Sequence, residues 1–135
     1  MTSLIVDASV AVLWYLPEAL SGEAEQILAA QADLMAPELV IAEIGNAVWK
    51  RTARNEVSAE EAVNVVVRAS AIFTKLFPLR ELAPEAMRLS ATLNHPIYDC
   101  FYLALAAREN GPLVTADRKL ATLGGRAGVQ VELLG

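Results

Sequence analysis

Four carboxylates stand at or just beyond the ends of apolar runs: Asp7 after Leu4-Ile5-Val6, Glu43 closing Leu39-Val40-Ile41-Ala42, Asp99 after Ile97-Tyr98, and Asp117 after Leu113-Val114-Thr115-Ala116. In open sheets covered by helices, ligands lie beyond the carboxyl ends of the strands, so acids placed there from distant parts of a chain can converge. Convergent carboxylates with no lysine nearby call for a hard divalent cation. Such an ion prefers oxygen ligands, is held by few protein carboxylates, and keeps waters that leave room for a phosphate. Taken singly, Asp7 and Asp99 also have ordinary structural readings. Asp7 would cap the helix that begins near Ser9, and Asp99 in a first helical turn would complement the helix dipole. Glu43 differs, because Val40, Ile41, Ala42, Ile44, Ala47 and Val48 leave it only a narrow polar face, and glutamate is almost never buried unpaired. Helical spacing continues that face through Asn46, Lys50 and Arg54, acidic at one end and basic at the other. The stripe reads either as a solvated face or as a metal ligand with a phosphate track beside it.

The elements that must position these acids alternate between short β-type runs and helical ones, the pattern of a parallel sheet with crossover helices. Leu4 to Val6 reads as the first strand, followed by a short helix capped by Ser9 and closed by Pro17. Ser21 opens a second helix to about Ala32, and Leu34 to Ala36 is a short strand. Pro37 is placed in the first turn of a helix running to about Asn55. Val63, Val65 and Val67 alternate like a strand, but Ser58-Ala59-Glu60-Glu61 is a capping box directly before them, so Ala62 to Phe73 is read as helix. A strand around Phe77 to Leu79 precedes a helix starting at Pro84 and ending near Asn94. His95-Pro96 breaks the chain, since the residue before proline avoids helical geometry. A helix from about Ile97 to Glu109 stops at Asn110-Gly111-Pro112, Leu113 to Thr115 is a strand, and Arg118 to Leu123 a short helix with Gly124-Gly125 as its cap and turn. Val129 to Leu133 is the last strand.

Length and composition bound the answer. The 135 residues fit one domain, spanning 1–135, with a single core that buries roughly two thirds of the surface of the unfolded chain. Hydrophobic residues make up 55%, yet every apolar run is interrupted well before the roughly 18 residues a membrane span needs. The start, Met1-Thr2-Ser3-Leu4, lacks the basic region of a secretion signal, and the single cysteine, Cys100, cannot form an internal disulfide; both agree with a reducing, cytoplasmic setting. The net charge of -5 argues against a surface that is nucleic-acid binding throughout, though not against a local track.

The motifs together resemble a known family. Leu4-Ile5-Val6-Asp7-Ala8-Ser9, Glu43-Ile44-Gly45-Asn46, Tyr98-Asp99-Cys100-Phe101-Tyr102-Leu103-Ala104-Leu105-Ala106, and Leu113-Val114-Thr115-Ala116-Asp117 are similar to the successive motifs of the PIN-domain nucleases, and the spacing and length are most similar to the VapC-type toxins of toxin-antitoxin pairs. The resemblance covers nearly the whole chain, the Tyr-Asp followed by Tyr-Leu-Ala-Leu-Ala being its most specific piece. It implies an α/β PIN-like fold, a small, mostly parallel sheet flanked by helices, with endonucleolytic cleavage of RNA dependent on Mg2+ or Mn2+. It also implies that Asp7, Glu43, Asp99 and Asp117 form the acidic cluster, supported by Ser9, Asn46 and Thr115. Gly45 departs from the bulkier apolar residue expected there and weakens its helix locally.

Phosphodiester hydrolysis needs an activated water, neutralised non-bridging oxygens and a stabilised leaving oxygen, which one or two metal ions can supply. Asp7 and Asp99 are then expected to ligate directly or through water, Glu43 to orient or deprotonate the attacking water, and Asp117 to hold a second ion or an outer water. Lys50, Arg54, Arg118 and Lys119 are candidates for RNA phosphates. His95, a lone histidine before proline, is read as structural rather than as a base, Cys100 as a small buried residue, and zinc is disfavoured. An RNA-cleaving toxin must be restrained by a partner. Trp14, Tyr15 and Leu16, with Val48 and Trp49, are read either as core or as a groove for an amphipathic antitoxin helix carrying a basic residue towards the acids. A homodimer and a toxin-antitoxin hetero-oligomer are expected, with no membrane association. Two rival functions remain: a catalytically silent interaction module of the same fold, and a phosphorylated receiver-type domain. The receiver would want adjacent acids after the first strand, and Asp7-Ala8-Ser9 supplies one.

Overall fold

Five short strands and seven helices alternate along the chain in the computed structural model, which describes residues 3–135. The strands are β1 (Ser3–Val6), β2 (Asp33–Pro37), β3 (Lys75–Phe77), β4 (Leu113–Thr115) and β5 (Val131–Leu133). They form one sheet in the order β3-β2-β1-β4-β5, and every pairing is parallel. Sequential strands run outward from β1 in one direction and then, after β3, restart on its other side at β4. The crevice at the carboxyl ends of β1 and β4 is therefore the place where the winding reverses, the usual ligand position of such sheets.

The helices are α1 (Ala8–Ala11), continued by a 3-10 turn at Val12–Trp14, then α2 (Ser21–Ala29), α3 (Leu39–Ala53), α4 (Ala59–Ile72), α5 (Leu79–Leu93), α6 (Ile97–Glu109) and α7 (Arg118–Arg126). Parallel strands buried on both faces are continuously apolar, and Leu4, Ile5, Val6, Leu113 and Val114 fit that rule with exposures of 7% or less. Helix α6 is the central helix: every residue from Cys100 to Ala106 is buried, so it has no solvated face from which an ordinary polar stripe could be read. Cys100 is among them, as expected of a small buried residue.

The capping box before α4 is present, with the Ser58 hydroxyl accepting from the Glu61 N–H at 3.1 Å and the helix running through all three valines. Four other sequence expectations are corrected. Ser9 lies inside α1, whose N-cap is Asp7, because its hydroxyl is occupied across the sheet rather than by its own helix. Pro37 ends β2 instead of opening α3; it lies beyond the last residue of β2 paired with β1, and the Phe77 carbonyl beside it takes the Glu38 N–H at 2.9 Å. Helix α5 starts five residues before Pro84, because Leu82 and Ala86 pack against α6, and this burial outweighs one lost backbone hydrogen bond. Gly124 and Gly125 sit within α7 rather than capping it. A Cβ at Gly124 would come within 2.5 Å of Val131 Cγ2, so the glycine lets α7 approach β5, and the left-handed turn falls at Gly128, φ 75°. Gly45 leaves α3 unbroken; a Cβ there would make only ordinary contact with Val66 of α4.

Candidate active site

Asp7 follows β1 directly and is 6% exposed. Its backbone is extended at the N-cap of α1, yet its side chain makes no capping bond; it accepts instead from the Ser9 hydroxyl at 2.7 Å. Ser9 Oγ in turn accepts from the Ala116 N–H at 2.9 Å and lies 3.2 Å from Thr115 Oγ1. Because the one Ser9 proton is on Asp7, Thr115 is the donor in that contact. Thr115 Oγ1 itself accepts from the Asp117 N–H at 3.0 Å. The hydroxyls of Ser9 and Thr115, both anticipated as polar support, thus lace the end of β1 to the end of β4. Asp117 is the N-cap of α7, its Oδ1 accepting from the N–H groups of Lys119 and Leu120 at 2.9 and 3.3 Å.

Glu43 and Asp99 come from helices. Glu43, in the second turn of α3, accepts from the phenol of buried Tyr102 at 2.6 Å. Asp99, in the first turn of α6, has Oδ2 2.8 Å from His95 Nε2. His95 is therefore engaged with a site acid, which the sequence reading missed, because Pro96 separates it from the helix that carries Asp99. Tyr102 was missed as a partner because its contact with Glu43 spans 59 residues.

The electrostatics join the four acids in a row. Burial pushes the Asp7 carboxyl up to about 7; the Ser9 and Thr115 hydroxyls pull the other way, and the charges of Glu43 and Asp117 push it up further. Burial also raises Glu43, against the Tyr102 hydrogen bond and with the charge of Asp99. The order of electrostatic neighbours is Asp117, Asp7, Glu43, Asp99. Among the described residues no Lys or Arg forms an ion pair with any of them.

This donor set fits a hard divalent cation in chemistry: every donor is a carboxylate oxygen, and the buried Asp7 is without a cationic partner. It does not fit a closed cage. Among the described residues no three Asp, Glu, His or Cys side chains come together as one metal's ligands. Asp117 Oδ1 is committed to α7 and Asp99 Oδ2 to His95. The arrangement suits an ion held by one or two carboxylates that keeps most of its waters.

A groove of about 430 Å3 opens beside the row, lined by Ala8, Ser9, Val12, Leu39, Ala42, Glu43, Asn46, Ala47, Lys50 and Tyr98. It contains the Glu43, Asn46 and Lys50 stripe but not Arg54, which is exposed further along. Arg118 and Lys119 are exposed at the start of α7, beside Asp117. The aromatic residues assigned to a partner groove lie elsewhere. Trp14 donates its indole N–H to the Ala24 carbonyl at 2.9 Å and meets Phe73 with the rings tilted at 51°, Tyr15 lies under the Arg68 guanidinium, and Trp49 is 60% exposed. Trp14 is packing, and Leu16 and Val48 are core.

The PIN domain family matches residues 4–125. The chain is 32% identical over 120 residues to ribonuclease VapC3 of Pyrobaculum aerophilum, covering 87% of this chain and 92% of that protein. It is 31% identical over 121 residues to ribonuclease VapC9 of Mycobacterium tuberculosis, covering 90% and 91%. Solved structures with the same fold include VapC20 of Mycobacterium tuberculosis, a sarcin-ricin loop cleaving toxin (TM-score 0.69, 18% identity, 90% of this chain and 95% of that one). Another is VapBC2 of Rickettsia felis bound to a DNA fragment from their promoter (TM-score 0.72, 14% identity, 99% and 100%). The chain belongs to the PIN-domain family, among its VapC ribonucleases.

Proposed function

We propose that this protein is a metal-dependent endoribonuclease, the toxin of a toxin-antitoxin pair, using Mg2+ with Mn2+ as a substitute. The observation that carries the reading is Asp7: a buried acid beside two further carboxylates, with neutral hydroxyls and no cationic side chain as its close partners. A bare cluster of this kind is costly, and a divalent cation is the natural way to offset the repulsion. When bound, the cation neutralises the phosphate and makes a water more acidic. Asp7 and Asp99 would hold it, with Asp117 supporting through water by its second oxygen. Glu43, raised by burial, is suited to take the proton of the attacking water. Hydrolysis then places the water oxygen on phosphorus, breaks the bond to the leaving oxygen, and returns a proton to that oxygen. Lys50 in the groove and the exposed Arg118 and Lys119 beside Asp117 would meet phosphates, and Tyr98, 64% exposed, offers a face on which a base can stack.

Its relatives are ribonucleases by name, and one structural neighbour is a toxin-antitoxin complex; RNA as substrate and an antitoxin as partner follow for this chain as part of the same reading. The groove along Val12, Leu39, Ala42 and Ala47, ending at Glu43, suits an amphipathic antitoxin helix better than the Trp14 region, with a basic side chain reaching the acids. A homodimer within a hetero-oligomer and a cytoplasmic location belong to this proposal. Among the described residues no helix is long and apolar enough to cross a membrane.

The decisive experiment incubates purified protein with mixed RNA in Mg2+, Mn2+ or chelator, beside Asp99→Asn. Cleavage is expected only for the unaltered protein with metal. Equal cleavage in chelator, or by the variant, would overturn the mechanism. Tyr98→Ala is expected to raise KM for RNA with little change in kcat, since a stacked base contributes about 1–3 kcal/mol; an unchanged KM removes Tyr98 from the binding surface.

A further inference from the structure

His95 takes no part in the reaction as described, yet its position is tightly specified. Asn94 ends α5 in left-handed backbone, φ 52°. The Ser90 hydroxyl donates to the His95 carbonyl at 2.6 Å, and the His95 N–H donates to the Ser90 carbonyl at 3.1 Å. Both backbone groups of His95 are thus clamped to one residue of α5, and Pro96 fixes the entry into α6. The side chain is only 13% exposed, with Nε2 2.8 Å from Asp99 Oδ2. A carboxylate only accepts, so the proton of this contact is on Nε2. Asp99 Oδ1 has no hydrogen-bond partner among the described residues.

We infer that His95 is a positioning residue, whose Nε2–H holds the Asp99 carboxylate in one orientation and leaves Oδ1 available to a cation. The inference rests on the reading of Asp99 as a metal ligand. Carboxylates that ligate metals are themselves held by hydrogen bonds, and loss of such a partner typically weakens metal affinity by about 10–100-fold. The pair is not an ordinary surface bridge, because the histidine is largely buried and the backbone that carries it is tied down twice.

The test measures Mn2+ affinity of the full chain by the EPR signal of free Mn2+, for the unaltered protein, His95→Leu, His95→Gln and Asp99→Asn. His95→Leu is expected to lose about tenfold or more in Mn2+ affinity and to lower kcat while KM for RNA stays unchanged. His95→Gln, whose amide N–H reaches about as far, is expected to restore most of both. If His95→Leu does not fold, as judged by circular dichroism, His95→Asn, too short to reach Oδ2, takes its place. Unchanged Mn2+ affinity in His95→Leu with affinity lost in Asp99→Asn overturns the positioning role and leaves the metal reading standing. Unchanged affinity in Asp99→Asn overturns both.

Discussion

Asp7 and Asp117 occupy the same kind of place, the residue before a helix, and use it oppositely. Asp117 spends one oxygen on two backbone N–H groups of α7, whereas Asp7 caps nothing and is buried. The difference sets a pH dependence. Between the ordinary 3.8 and about 7 the native state keeps the Asp7 proton that the unfolded chain has released, so raising the pH through that window favours unfolding. At about 1.4 kcal/mol per tenfold change in proton affinity, the loss is of the order of 4 kcal/mol. Denaturation in chelator should show stability falling from pH 4 to pH 7, and Asp7→Asn should flatten that fall and be the more stable at pH 7; parallel profiles would mean Asp7 is not buried as described. Tyr102→Phe removes a hydrogen bond that favours ionised Glu43. It should cost about 1–3 kcal/mol in denaturation and move the acid limb of the pH-rate profile upward. At this scale the acids stand out in the sequence at the ends of apolar runs, whereas Ser9 and Thr115 entered as support only through the family resemblance. The partners of Asp99 and Glu43 were not legible, since His95 is separated from Asp99 by a proline break and Tyr102 meets Glu43 only through tertiary folding.

The elements were legible where local chemistry and tertiary packing agree, and misread where packing wins. The box at Ser58 predicted α4 against its valine alternation, and the structure follows the cap. Pro84 and the Gly124-Gly125 pair are breakers by local rule, but α5 and α7 run through them because their apolar faces are already committed to α6 and β5. The two glycines of α7 make a paired prediction. Gly124→Ala drives a Cβ into a stiff β-branched side chain and should destabilise by about 1–3 kcal/mol. Gly125→Ala meets nothing within 4 Å and should stabilise by up to about 1 kcal/mol. Thermal melts of both variants read the signs; two losses of equal size would remove the steric role of Gly124.

For the whole molecule, the alternating pattern predicted a parallel sheet, and strand order is what a single sequence could not supply, since nothing local says that β4 pairs with β1 rather than with β3. That order brings Asp7 and Asp117 together across the winding reversal. Metal binding is accordingly coupled to the global fold: Mn2+ at a hundred times its Kd should stabilise by about 2.7 kcal/mol, a rise in Tm absent from Asp99→Asn. Identical melting curves with and without Mn2+ would exclude a site built on these acids.

The pairing of Ile5 with Leu113 has a consequence for synthesis. A nascent chain that has not yet released residues 113–117 carries Asp7, Glu43 and Asp99 but leaves one edge of β1 without its neighbour, and lacks the Thr115 hydroxyl that ties the Ser9 network together. Contacts of such sequence separation form late and slowly. The crevice at the ends of β1 and β4 is therefore among the last features to assemble on the ribosome, so, with the acids acting as proposed, the interval in which the chain can cleave RNA, and in which a partner must already be waiting, opens only as β4 and β5 emerge.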